Sequence, residues 1–153
     1  MIENMKNYKV ILYIIGLSML IFSRCNKNDS GTEPNETDAQ LTALLNNGKN
    51  WVLSNTGVKK DGYDVTDEFF GFVLTMGNKV YSSVNGLKPV WPTTGTWNFQ
   101  DNNPNKIVRD DGAIITLNLT SGNLIMTFTA EGVSAGGKSE SVSGQYEFHL
   151  VSE

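Results

Sequence analysis

Trp91-Pro-Thr-Thr-Gly-Thr-Trp97-Asn-Phe99-Gln100, followed after a polar interval by Lys106-Ile-Val-Arg109-Asp-Asp-Gly112, holds more fold information than any other part of the chain. Trp97 and Phe99 alternate with Thr96 and Asn98, the period of a half-buried strand. Asp101 to Asn105 is a run of turn formers, Lys106 to Arg109 leads back, and Asp111-Gly112 is a hairpin signal. Two antiparallel strands and a turn into a third are implied. Upstream, Pro89 and Pro92 donate no ladder hydrogen bond, so residues 85–94 are expected to form a loop.

The same grammar extends in both directions. Downstream, Ile115, Leu117 and Leu119 share one face, Ser121-Gly122 turns, and Leu124, Met126, Phe128 and Ala130 alternate with polar or smaller neighbours. A Gly/Ser-rich loop over 131–141 then leads to a last strand with Tyr146, Phe148 and Leu150. Upstream, Trp51 and Leu53 begin a first strand and Lys60-Asp61-Gly62 turns it. Phe70, Phe72, Leu74 and Met76 fall on one face by period two, and Gly77-Asn78 is expected to turn the chain into Val80. Eight or nine strands in so small a domain must curl, and closure removes the edges that template aggregation. The expected fold is all-β: an antiparallel meander barrel of about eight strands with a short helix before it. A two-sheet β-sandwich is the alternative.

Composition agrees, with 15 glycines and only 4 prolines among 153 residues marking tight turns between strands. The formal charge is −4, and setting aside residues 1–24 (Lys6, Lys9 and Arg24 against Glu3) changes twelve basic and sixteen acidic residues to nine and fifteen, or −6. A nucleic-acid partner is not expected from so acidic a chain.

The first residues carry an address. Lys6 and Lys9 precede Val10 to Phe22, an apolar run that as a helix covers about 20 Å, short of the roughly 30 Å of a hydrocarbon core. Residues 1–24 therefore read as an export signal. Cys25 is the only cysteine, so no intramolecular disulfide can form. Residues 25–36 contain no large apolar side chain and read as a tether. From Thr37 the pattern becomes helical over about 38–47, with Thr37 or Asp38 as cap, Leu41, Leu44 and Leu45 on one face, and Gly48 as terminator. The folded domain is taken as 37–153, with the helix plugging one barrel end.

A lone Cys directly after an apolar run resembles the lipobox of bacterial lipoproteins, here with Phe22 and Arg24 where Leu and Gly or Ala usually stand. That resemblance implies lipidation at Cys25. The ordered blocks Asp61-Gly-Tyr-Asp-Val-Thr66, Phe72-Val-Leu-Thr75, Val90-Trp-Pro92, Gly95-Thr-Trp-Asn-Phe99, Arg109-Asp-Asp-Gly112 and Val142-Ser-Gly-Gln-Tyr-Glu-Phe148 resemble the lipocalin-like lipoproteins of Bacteroidetes over residues 45–151. What the resemblance implies is a lipocalin-like barrel anchored by lipid in the cell envelope, at the outer membrane. It implies no reaction and no particular ligand.

Chemistry is sparse. His149, the one histidine, alternates with Phe148 and Leu150 and is expected on the outer face, with no Gly-x-Ser-x-Gly elbow to serve. Asp61, Asp64, Asp67 and Glu68 lack the spacing of a calcium loop, and one His with one Cys does not make a zinc site. Asp110 and Asp111 are neighbours whose side chains diverge in a strand, unsuited to paired carboxylate catalysis; Asp110 is expected to offset Arg109. Neither catalysis, metal nor cofactor is expected. Trp91, Trp97 and Arg109 remain as candidate ligand-binding residues, Arg109 also as a cation–π partner. Loops 85–94, 100–106 and 131–141 are expected to gather at the barrel mouth. The expected function is a membrane-anchored, non-catalytic module for a small apolar molecule or glycan. The alternative is a structural or assembly lipoprotein, its barrel filled with side chains, that meets an envelope protein through one loop face.

Overall fold

In the computed structural model of the protein, residues 35–132 and 142–153 are described. The export signal, Cys25, the tether as far as residue 34 and residues 133–141 of the Gly/Ser-rich loop lie outside them.

The chain forms α1 (Glu36–Leu44) and then nine strands: β1 (Trp51–Lys60), β2 (Tyr63–Asp64), β3 (Val73–Gly77), β4 (Val80–Val84), β5 (Thr94–Phe99), β6 (Lys106–Arg109), β7 (Ile114–Thr120), β8 (Asn123–Ala130) and β9 (Gly144–Ser152). Successive strands from β3 to β9 pair antiparallel, and β1 pairs with β3 on one side and β9 on the other. The β1–β9 ladder closes an eight-stranded lipocalin-like barrel, which removes the sandwich alternative. β2 is a two-residue flap on β1, matched by Lys59↔Asp64 and Lys60↔Tyr63.

Because the barrel is a meander, every second connection falls at the same end. The β3–β4, β5–β6 and β7–β8 turns share one end with α1. The 61–72 connection, the 85–93 loop, the β6–β7 turn and the β8–β9 connection share the other. The expected gathering of loops 85–94, 100–106 and 131–141 is thereby corrected: 100–105 is at the α1 end, opposite 85–93.

The weakest seam is β1–β3, where only Trp51↔Leu74 and Val52↔Val73 face each other. Beyond it, β1 bulges between Leu53 and Val58 relative to β9. A 3₁₀ turn over Thr66–Phe69 takes the place of a neighbouring strand, with Val65 N–H donating to Val58 O and Val58 N–H to Thr66 Oγ1, both at 2.9 Å. Gly57 permits this approach: its φ is +65°, and a Cβ there would lie 1.9 Å from Thr66 Oγ1.

That turn also corrects the face assigned to residue 70. Phe72, Leu74 and Met76 point inward as expected, but Phe70 is 85 % exposed and Phe69 is buried instead. Period-two alternation holds only within a strand, and β3 starts at Val73, after Gly71 takes φ +72°. A smaller slip occurs at the next hairpin, where Gly77 still pairs with Val80 and the two turn residues are Asn78 and Lys79. Lys79, at φ +61°, occupies the left-handed position.

α1 begins at Glu36, so the last residue expected in the tether belongs to the helix. Its cap is Asn35, not Thr37 or Asp38: Asn35 Oδ1 accepts from Thr37 N–H at 3.4 Å, while Glu36 and Asp38 suit the positive end of the helix dipole. The helix stops before Gly48 because Asn46 and Asn47 adopt left-handed φ values of 49° and 54°, which Asn tolerates better than other side chains. Leu44 is buried, Leu41 packs on the core, and Trp51 Nε1 donates to Leu44 O at 2.9 Å, so α1 plugs its end.

The 85–93 loop folds back on itself, with Ser83 N–H donating to Thr93 O at 2.7 Å, Ser83 Oγ to Pro92 O at 2.9 Å and Trp91 N–H to Leu87 O at 2.9 Å. Gly86 sits in the fold-back, and a Cβ on it would lie 2.4 Å from Trp91 O. That oxygen belongs to backbone and cannot swing away. Gly86→Ala is therefore expected to displace Trp91 and cost about 1–3 kcal/mol in urea unfolding, with a red shift of tryptophan emission before the transition.

Candidate functional site

The three residues singled out in the sequence lie at the centre of the molecule. Trp91 is 1 % exposed although it belongs to a loop; its indole drops into the barrel among Phe72, Tyr81, Phe128 and Phe148, with ring centroids 5.4 to 6.0 Å away. Phe69 enters beside it, 4.9 Å from Phe148 and 6.0 Å from Tyr146. An aromatic of this size contributes a gross ~4–6 kcal/mol on burial, comparable with a domain's whole net stability.

Arg109 is the last residue of β6, and its side chain is 2 % exposed. Its guanidinium carbon stands 4.7 Å from the Trp91 ring centroid and 5.5 Å from that of Phe128. Nη1 donates to Val90 O at 3.0 Å, so the residue before Trp91 is fastened as well. Nε and Nη2 donate to Asp111 Oδ1 and Oδ2 at 3.1 and 2.7 Å, a bidentate pair. The expected partner, Asp110, is thereby corrected: its Oδ2 instead accepts from Thr96 N–H at 3.1 Å. Both aspartates lie in the turn after β6, and it is the turn that brings Asp111 rather than Asp110 back onto the guanidinium.

Burial alone would raise the Asp111 pKa, but the Arg109 hydrogen bonds, the Ala113 N–H and the Arg109 charge outweigh it and hold the carboxyl below its ordinary value. Tyr81 is different. Burial pushes its phenol up, and neither its hydroxyl nor Trp91 Nε1 has a hydrogen-bond partner among the described residues.

Trp97 pairs across the ladder with Arg109 but serves another region. Its Nε1 donates to Val80 O at 3.1 Å, its ring meets Phe99 edge-on at 5.3 Å, and it borders a groove of about 210 Å³ with Leu41 of α1. Trp91 and Arg109 are thus brought together and Trp97 faces the α1 end. The hydrogen bonds that the Arg109 guanidinium donates go to Asp111 and Val90, so Arg109 and Trp91 hold their end of the barrel shut.

His149 lies on the outer face of β9, 2.5 Å from Glu147 Oε1, with Lys59 Nζ 3.7 Å from the same oxygen. The hydrogen bond from His149, ahead of the opposing effect of burial, lowers the Glu147 pKa. Among the described residues no hydroxyl or thiol is hydrogen-bonded to this His, and no group of three or more His, Cys, Asp or Glu side chains is placed to hold a metal. Asp61 and Asp64 serve as turn acceptors, for Gln145 N–H and Thr66 N–H at 2.9 Å each.

No family model, no curated protein and no solved structure matches the chain.

Two predictions follow from the plug. Asp111→Ala leaves a buried guanidinium without its carboxylate and is expected to cost about 3 kcal/mol, whereas Asp111→Ala with Arg109→Met removes both charges and is expected within about 1 kcal/mol of wild type in chemical denaturation. Since the folded pKa of Asp111 is depressed, its contribution is complete above the unfolded value of about 4 and disappears as pH falls through the folded value; the acid limb of the double variant should be correspondingly shallower. Tyr81→Phe, which deletes an unpartnered buried hydroxyl, is expected to be neutral or to stabilise by up to about 1 kcal/mol in thermal unfolding; a loss above that value would show a hydroxyl contact that matters.

Proposed function

We propose that the chain is a lipid-anchored lipoprotein of the cell envelope, held to the outer membrane through Cys25, whose barrel is a non-catalytic module that binds a protein partner through the loop face at the end opposite α1. The observation that carries this reading is the filled barrel. Eight strands enclose room either for side chains or for one small ligand, and here Trp91, Phe69, Phe72, Phe128, Tyr146 and Phe148 occupy the interior. Recognition then falls to the outer surface.

At the end opposite α1, Tyr63 and Phe70 are 78 % and 85 % exposed. Large exposed aromatics of this kind are favoured at protein contacts. Asp61, Asp64, Asp67 and Glu68 are exposed around them, which suits a partner surface bearing Lys and Arg. The chain enters the described structure at Asn35, at the α1 end.

Lipidation and contact are separable by experiment. Mass spectrometry is expected to find diacyl or triacyl mass on a peptide beginning at Cys25, and Cys25→Ala is expected to leave the membrane fraction; unchanged fractionation would overturn the anchor. A photocrosslinking residue at position 70 is expected to give one discrete protein adduct in cells, lost on Asp67→Lys with Glu68→Lys while the unfolding temperature is unchanged. An adduct pattern indifferent to those charges would overturn the proposed contact.

A further inference from the structure

α1 lies across its end of the barrel with a groove on each flank. The groove shared with Trp97 contains Asp38 and Lys79, and a third groove, at the opposite end, contains Arg109, Asp111 and Glu131. The groove between α1 and the β7–β8 turn is different in kind. Its volume is about 490 Å³, in the range of small-molecule sites, and none of its lining residues carries a charge.

We propose that this groove binds a neutral carbohydrate, with the Gln40 side-chain amide as its central polar contact. Gln40 Nε2 is buried and has no hydrogen-bond partner among the described residues, an unfavourable situation that a ligand acceptor would relieve. A primary amide presents a donor and an acceptor side by side, the complement of two neighbouring hydroxyls on a sugar ring. Thr120 and Ser121 add hydroxyls from the hairpin wall. Half-buried Leu119 supplies the apolar surface of the groove, suited to sugar C–H groups, above Trp51, which is itself buried with its N–H committed to Leu44 O. With no cation in the lining, nothing there offsets the desolvation of a phosphate, sulfate or uronate, and this selects a neutral ligand. The site is at the other barrel end from Tyr63 and Phe70 and does not depend on the partner contact.

The test is titration of the full mature chain with glucose, galactose, mannose and N-acetylhexosamine oligomers, and in parallel with uronic-acid oligomers, followed by amide NMR. At least one neutral oligomer is expected to saturate with shifts at the Gln40 side-chain amide, Thr120 and Ser121. Gln40→Leu is expected to weaken that binding tenfold or more. Ala43→Phe is the second variant: position 43 is exposed on α1 and lines the groove, so the larger ring obstructs the site without entering the core. The same loss is expected from it, with an unchanged unfolding temperature. Absence of any neutral ligand at millimolar concentration, shifts confined to other surfaces, full affinity in both variants, or tighter binding of the uronic-acid oligomers would each overturn the proposal.

Discussion

A guanidinium taken out of water governs how this barrel closes. Moving the Arg109 guanidinium into the interior costs several kcal/mol unless its donors are met. They are met from two directions, by the Asp111 carboxylate at 3.1 and 2.7 Å and by Val90 O at 3.0 Å, with the Trp91 ring 4.7 Å away. The turn after β6 must therefore be formed, and the 85–93 loop must be folded in, before the charge is accommodated. A purely apolar plug would be indifferent to small rotations of the loop. Directional bonds to Val90 O and to both Asp111 oxygens are not, and they hold the indole at one depth among Phe72, Tyr81, Phe128 and Phe148.

The two ends are closed by different means. At one, α1 supplies Leu41 and Leu44, and the Trp51 indole is pinned to Leu44 O at 2.9 Å. At the other, side chains from connections enter the barrel, Phe69 from a 3₁₀ turn and Trp91 from a loop. This explains why the short β1–β3 seam survives with two facing pairs: Phe69 packs against Tyr146 and Phe148 of β9 at 6.0 and 4.9 Å, bridging behind the bulge where strand pairing has stopped. The interior is consequently spent on stability.

What was legible in the sequence was local. Trp97 and Phe99, Ile115 and Leu117, Met126 and Phe128, and Tyr146 and Phe148 announce their faces by alternation, and Asp61-Gly62 and Asp111-Gly112 announce turns, so a closed meander could be read without coordinates. Phe70 was misassigned because the alternation does not reach back past Gly71, at φ +72°, to the 3₁₀ turn that ends at Phe69, and no residue in Thr66–Phe69 signals that turn strongly. Asp110 was preferred to Asp111 by adjacency, whereas the turn after β6 brings Asp111 onto Arg109. The burial of Trp91 was not legible at all: a tryptophan between two prolines has the local pattern of an exposed loop, and its depth is set by Arg109, Phe128 and Phe148, which are distant in sequence. The charge-free groove beside α1 was hidden for the same reason, since Gln40 and Ser121 meet only after the barrel closes.

Charge separates the remaining surfaces. Around Tyr63 and Phe70 the acidic side chains Asp61, Asp64, Asp67 and Glu68 extend a field over roughly a Debye length of 8–10 Å, enough to orient a basic surface before contact. The groove under Gln40 has no charged lining and gains nothing from long-range attraction. Its selectivity must come at close range, from amide and hydroxyl geometry and from apolar surface. A basic protein face finds no counter-charge in the lining of the Gln40 groove, whereas carboxylates surround Tyr63 and Phe70. The closed barrel keeps the two chemistries apart, and occupancy of one end need not perturb the other, because the core between them is packed and the plug is held by bonds internal to itself.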